Sequence, residues 1–266
     1  AYRRQRQMCI RDRCGGIMKH IGTGTQKVEE ELHALFPGAK VLRMDTDTVG
    51  ASHGHEKLLR QFEEEKIPIL LGTQMVAKGL DFENVTLVGV LCADASLYID
   101  NYRAPERTFS LLSQVVGRAG RGSKQGRAII QTFTPENEVI RAAAAQDYDA
   151  FYESEIRMRR LRRYPPFADL FSFTVTGADE SRVIRAAKAL RDALGYAVER
   201  REELKPLSIE VLGPAGASVV KVNNRYRYRV FLVGKGCPAL RRLVAEYLYA
   251  FYQHKENRGL DIFADC

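Results

Sequence analysis

From Thr25 the apolar residues Val28, Leu32, Leu35 and Phe36 recur at three- and four-residue steps and stop at Pro37-Gly38, a pattern that predicts a helix. Residues 40–44 then read as a short buried strand. Residues 55–65 place Leu58, Leu59 and Phe62 on one face with charges opposite, and residues 67–71 follow as an apolar strand ending at Gly72. The rhythm continues with an apolar strand at 85–91 and a helix around 106–116 that turns Phe109, Leu112, Val115 and Val116 inward. A further strand covers 128–133. Buried strands alternating with amphipathic helices imply a parallel sheet of the doubly wound type, in which ligands gather at the carboxyl ends of the strands.

The pattern changes after residue 146. Residues 147–163 predict a connecting helix that grows basic, with Arg157, Arg159, Arg160, Arg162 and Arg163, and Pro165-Pro166 ends it. Beyond this boundary, strands are predicted at 170–176, 209–212, 218–222, 226–233 and 260–264, with helices at 181–203 and 240–252. The chain therefore divides into a tail at 1–13, an α/β domain at 14–146, a connecting helix with its Pro-Pro boundary at 147–166, and a smaller α+β domain at 167–266. No internal repeat appears in either half.

Lys and Arg number 41 against 33 Asp and Glu, a formal charge of +8 that favours a polyanionic partner such as nucleic acid. No window approaches the run of roughly 18 apolar residues that a membrane helix needs, and the chain reads as cytoplasmic. Five cysteines (Cys9, Cys14, Cys92, Cys237 and Cys266) are odd in number and scattered, so they form no disulfide framework. Cys14-Gly15-Gly16 is similar to half of a C-x-x-C zinc knuckle, but Arg11 stands at the partner position, which leaves Cys14 as one ligand of an incomplete site. Cys92, inside an apolar run, reads as a core thiol.

Two stretches carry candidate chemistry. In Gln114-Val115-Val116-Gly117-Arg118-Ala119-Gly120-Arg121, two arginines three residues apart share a helix face, where their guanidinium forks can grip phosphate oxygens; a solvated basic helix end fits the bare spacing equally well. In the segment 72–82, which begins Gly72-Thr73, a threonine hydroxyl, backbone amides and Lys78 can meet phosphate, and Asp81 can accept a ribose hydroxyl. Both stretches lie at the inferred carboxyl rim of the sheet. The phosphate-cradling G-x-x-x-x-G-K-[ST] occurs nowhere in the chain, so these residues alone should not hydrolyse a nucleotide. In the second domain, Arg225-Tyr226-Arg227-Tyr228-Arg229 alternates at the strand period. Either the arginines face phosphate while the tyrosines stack on bases, or the tyrosines pack into the core under a solvated arginine face.

Residues 72–82 and 114–121 resemble motifs V and VI of superfamily 2 helicases. Together with Gly22-Thr23-Gly24-Thr25, Phe36-Pro37-Gly38, Arg103-Ala104 with Glu106-Arg107, and Tyr164-Pro165-Pro166-Phe167, the ordered set resembles the PriA family of replication-restart helicases, also called primosomal protein N′. The resemblance runs from about residue 14 to the C-terminus; residues 1–13 match nothing in it and read as foreign. It implies a RecA-like second helicase lobe followed by an α+β C-terminal domain. The complete protein would be an ATP- and magnesium-dependent 3′ to 5′ DNA helicase, with zinc held mainly upstream, that engages forked and single-stranded DNA, single-strand-binding protein and other primosome proteins. By the same resemblance, Arg118, Arg121 and Gln114 act at the γ-phosphate. Gly79 and Asp81 line the nucleotide side, and Thr25, Thr73 and Lys78 touch the DNA backbone; the residues themselves add Arg225 and Arg227 to that backbone set. A stand-alone nucleic-acid-binding module without ATPase activity is the other reading that the missing phosphate loop leaves open.

Overall fold

The computed structural model describes residues 24–45, 54–73, 85–117 and 126–265, which form two compact units dividing between Glu155 and Ile156. In the first unit, helix α1 (Thr25–Leu35) leads to strand β1 (Val41–Met44), and helix α2 (Gly54–Glu64) leads to strand β2 (Ile69–Gly72). The two strands pair in parallel, Val41 opposite Ile69 through Met44 opposite Gly72, with α2 as the crossover that parallel pairing requires. Strand β3 (Leu87–Val90), the one-turn helix α3 (Asp94–Leu97), helix α4 (Ala104–Val116) and strand β4 (Arg127–Ile130) repeat the scheme, with Leu87 opposite Arg127 and Val90 opposite Ile130.

Helix α5 (Glu138–Ala145) and helix α6 (Tyr148–Arg162) complete this unit's core and carry the chain toward the next. Asn137 caps α5 by accepting from the Val139 amide at 3.0 Å, and Gln146 ends it in the left-handed conformation at φ 55°. The core joins Phe109 and Leu112 of α4, Ile140 and Ala143 of α5, and Phe151 of α6, whose ring stacks on Phe109 with centroids 4.2 Å apart.

Four expectations are corrected in this unit. The strands predicted at 85–91 and 128–133 are shorter, because Cys92 leaves the extended conformation at φ 60° and Phe133 turns outward, 70% exposed. Cys92 is therefore a half-buried loop residue rather than a thiol inside a strand. The strands are not buried on both faces either: Val90 and Ile130 pack toward the core, while Leu87 and Ile129 remain exposed among the described residues. Within α4, Phe109 and Leu112 are buried as expected, but Val115 and Val116 are only half-buried.

The second unit is a four-stranded antiparallel sheet in the order β6-β7-β5-β8. It is built from strand β5 (Asp169–Gly177), helix α7 (Glu180–Arg200), the hairpin of strands β6 (Glu210–Val222) and β7 (Arg225–Gly234), helix α8 (Pro238–Gln253) and strand β8 (Asp261–Asp265). Alternation puts Phe171, Phe173 and Val175 of β5 and Tyr228, Val230 and Leu232 of β7 in one core with Leu190 and Leu194 of α7 and Leu240 and Leu243 of α8. Asp179 caps α7 by accepting from the Arg182 amide at 3.0 Å, and Cys237 caps α8 with Pro238 in its first turn.

The segments predicted as separate strands at 209–212 and 218–222 are one strand, β6, with register shifts between Leu212 and Ala215 and between Gly216 and Lys221. An edge strand tolerates the proline and the bulges that look like breakers in sequence. Gly213 is required there: its φ is +104°, and a Cβ would stand 2.7 Å from the Arg229 carbonyl oxygen.

Candidate functional site

Because Met44 lies opposite Gly72, the next residues in each chain, Asp45 and Thr73, emerge at the same carboxyl rim of the β1–β2 pair. Thr73 is exposed there. Thr25, the first residue of α1, joins the rim through its hydroxyl, which donates to the Asp45 carboxylate at 2.7 Å. Arg43 completes a network, with Nη1 2.7 Å from Glu29 and Nε 3.2 Å from Asp45. Asp45 is 7% exposed, so its charge is neutralised inside the fold rather than offered to solvent.

The role of Asp45 is visible only once α1 and β1 are placed together. The arrangement also limits what Thr25 can do. A hydroxyl has one proton, and this one goes to Asp45, so Thr25 has no side-chain proton left to donate, while α1 begins, like any helix, with main-chain amides that lack intrahelical partners. Gly24 caps that helix with no side-chain bond.

A second rim closes the β3–β4 pair. Asp94, 4% exposed, accepts from the Phe133 amide at 2.9 Å and from the hydroxyls of Thr134 at 2.8 Å and Thr132 at 3.0 Å. Burial alone raises its pKa, but these donors outweigh burial and hold the carboxyl below its ordinary value. Ser96 of α3 then accepts from Thr108 of α4 at 3.1 Å, which ties the rim to the helix carrying Gln114. This cluster is structural: its acceptors are spent within the chain.

Gln114 is exposed on the last turn of α4, its amide 3.3 Å from the Ser110 hydroxyl. Gly117 ends the helix and donates to the Ser113 carbonyl at 3.0 Å. Arg118 and Arg121 follow it in sequence but lie outside the described residues, as do Lys78, Gly79, Asp81 and Cys14. Of the expected nucleotide and DNA contacts in the first unit, the structure thus places Thr25, Thr73 and Gln114. Among the described residues, no three His, Cys, Asp or Glu side chains cluster as a metal would require.

In the second unit, β7 turns Tyr228 into the core, where its hydroxyl is 2.7 Å from Glu180, and Tyr226 packs against the same core beneath Lys221. The tyrosine side of the strand is therefore an interior face. Arg225, Arg227 and Arg229 share the other face. Arg225 is committed there: its guanidinium pairs with Asp261 and donates to the Thr176 carbonyl at 3.2 Å. Arg227, opposite Thr176 on β5, is half-buried.

The family model described as helicase conserved C-terminal domain matches residues 21–123, and that described as primosomal protein N C-terminal domain matches residues 160–265. Among curated proteins, the replication restart protein PriA of Bacillus subtilis is 41% identical over 93% of this chain and 30% of its own length. The proteins of the same name from Synechocystis and Treponema pallidum are 40% and 38% identical, over 81% and 88% of this chain and 25% and 34% of theirs. The chain spans a quarter to a third of the length of these relatives. The first unit carries a RecA-like helicase C-terminal domain with its parallel strand pairs, an α+β domain follows, and the chain belongs to the family of replication restart protein PriA.

Proposed function

We propose that this chain is the C-terminal part of an ATP-dependent DNA helicase that travels 3′ to 5′ and serves primosome assembly at stalled replication forks. The observation that carries this reading is the tandem of two family matches, in order, within an identity of 41% that continues across 248 residues. In this reading Arg118 and Arg121 stabilise the charge that develops on the transferred γ-phosphoryl group, and Gln114, on the exposed end of α4, acts at the same group. Fingers of this kind contribute roughly 10³ to 10⁵ in rate, yet they need a phosphate cradle that this sequence does not contain.

The cradle and the magnesium-holding acids then belong to a first motor lobe outside this chain, with Gly79 and Asp81 closing the nucleotide side. Thr73, Lys78 and the amides at Thr25 position the DNA backbone, and Arg227, with Arg225 beside it, adds a basic face in the second unit. Zinc belongs to the complete protein, with Cys14 at the edge of that site. Its partners are forked and single-stranded DNA, single-strand-binding protein and other primosome proteins, and it works in the cytoplasm.

Strand separation by the full-length protein tests this reading. With ATP, a duplex bearing a 3′ single-stranded tail should open while the same duplex with a 5′ tail stays paired. Equal opening of both, or hydrolysis with neither opened, would contradict it.

A further inference from the structure

Helix α4 is the platform from which the arginine pair departs, and its last turn is held by a residue from another element. Gln146 sits in the left-handed conformation at the end of α5, at φ 55° and ψ 29°, with its own amide bonded back to Ala142 and Ala143. Its side chain reaches across to α4, where Nε2 donates to the Ser113 carbonyl at 3.3 Å. That same carbonyl receives the Gly117 amide at 3.0 Å, so one oxygen gathers both the helix end and the neighbouring element.

Gly117 makes room for this contact. A Cβ on Gly117 would stand 3.0 Å from Gln146 Nε2 and 3.2 Å from the Ser113 carbonyl oxygen, tight enough to displace the amide. The glycine that ends α4 has an ordinary helical φ of −67°, so its value here is space rather than backbone freedom. Arg118 is the next residue in the sequence.

From this juxtaposition we infer that Gln146 is a positioning residue, fixing the last turn of α4 and with it Gln114, the exposed residue of that turn assigned to the phosphoryl site. The inference rests on that proposed role of Gln114. Gln146 itself touches no reacting atom; it acts by limiting rotation of the last turn. Catalytic groups of this kind tolerate little displacement, since a misplacement of about 1 Å can cost about a hundredfold in rate.

The test uses two variants in the full-length protein. Gln146→Asn preserves, and even favours, the left-handed conformation but is one methylene too short to reach Ser113. Gln146→Glu keeps the length but has no N–H to donate. Each should lower kcat for DNA-stimulated ATP hydrolysis about tenfold while KM for ATP, Kd for single-stranded DNA and the thermal unfolding midpoint stay within error of the parent. An unchanged kcat in either variant overturns the inference, and so does a loss of kcat matched by a fall in the unfolding midpoint, which marks a purely structural role. Gln114→Ala, measured alongside, separates the two levels: if it hydrolyses ATP normally, the proposed role of Gln114 itself has failed; if it is slowed while Gln146→Asn is not, only the positioning role has.

Discussion

Thr25 and Asp45, twenty residues apart, meet at 2.7 Å, and the direction of that bond decides what the hydroxyl can still do. Thr25 donates, so its hydroxyl serves the fold; in the proposed function it is the main-chain amides of α1 that meet the DNA backbone.

Thr25→Ala should therefore cost about 1.5 kcal/mol of stability, the net worth of a hydrogen bond to a charged acceptor at its lower end, but only about threefold in affinity for single-stranded DNA. Thr25→Ser should restore both. Chemical unfolding and fluorescence titration read the two quantities. A loss of DNA affinity of thirtyfold or more with stability intact would show that the hydroxyl itself grips phosphate.

On β7 the two expected DNA arginines should part company. Arg225 is tied to Asp261 and Thr176, so Arg225→Ala should perturb the sheet more than DNA binding. Arg227→Ala should weaken single-stranded DNA binding evenly across sequences and lower the slope of log affinity against log salt by about 1. Titrations at several salt concentrations distinguish them; identical salt slopes for both variants and the parent would remove this face from the interface.

The Asp94 cluster makes a pH prediction. Its carboxyl is held below the ordinary value of about 3.9 by the Phe133, Thr134 and Thr132 donors, which outweigh the opposing effect of burial. A group with a depressed folded-state pKa contributes stability that is present above the unfolded value and lost as pH falls through the folded one. Asp94→Ala, which leaves the Phe133 amide without its acceptor, should cost about 2 kcal/mol at pH 7. The gap to the parent should narrow only below about pH 4. Urea unfolding across that range reads the gap; a difference that stays constant down to pH 3 would mean that the ionised carboxylate is not the stabilising species.

Helices in both units were legible from apolar residues repeating at helical steps, even in α1, where no residue is fully buried and Leu35 is 71% exposed. The stripe of Val28, Leu32 and Leu35 marked α1 to its last residue, and alternation located β5 and β7 within a residue or so. What the sequence hid depends on contacts between distant segments. The acceptor role of Asp94 needs Thr132 and Thr134, some forty positions on, and Asp45 needs Thr25 from another element. Helix α5 went unread because its eight residues offer only about two turns of pattern. Within the arginine–tyrosine strand, the period placed the two residue types on opposite faces but could not say which face was inside; Tyr228 against Glu180 answers that.

The most direct measurement is DNA-stimulated ATP hydrolysis by the full-length protein and by its Arg121→Ala variant, with Kd for single-stranded DNA taken in parallel. The variant should lose at least about a thousandfold in kcat while binding DNA within about twofold of the parent, as expected of a finger that completes a site built on another lobe. Hydrolysis preserved in the variant, or lost together with DNA binding, would contradict that account.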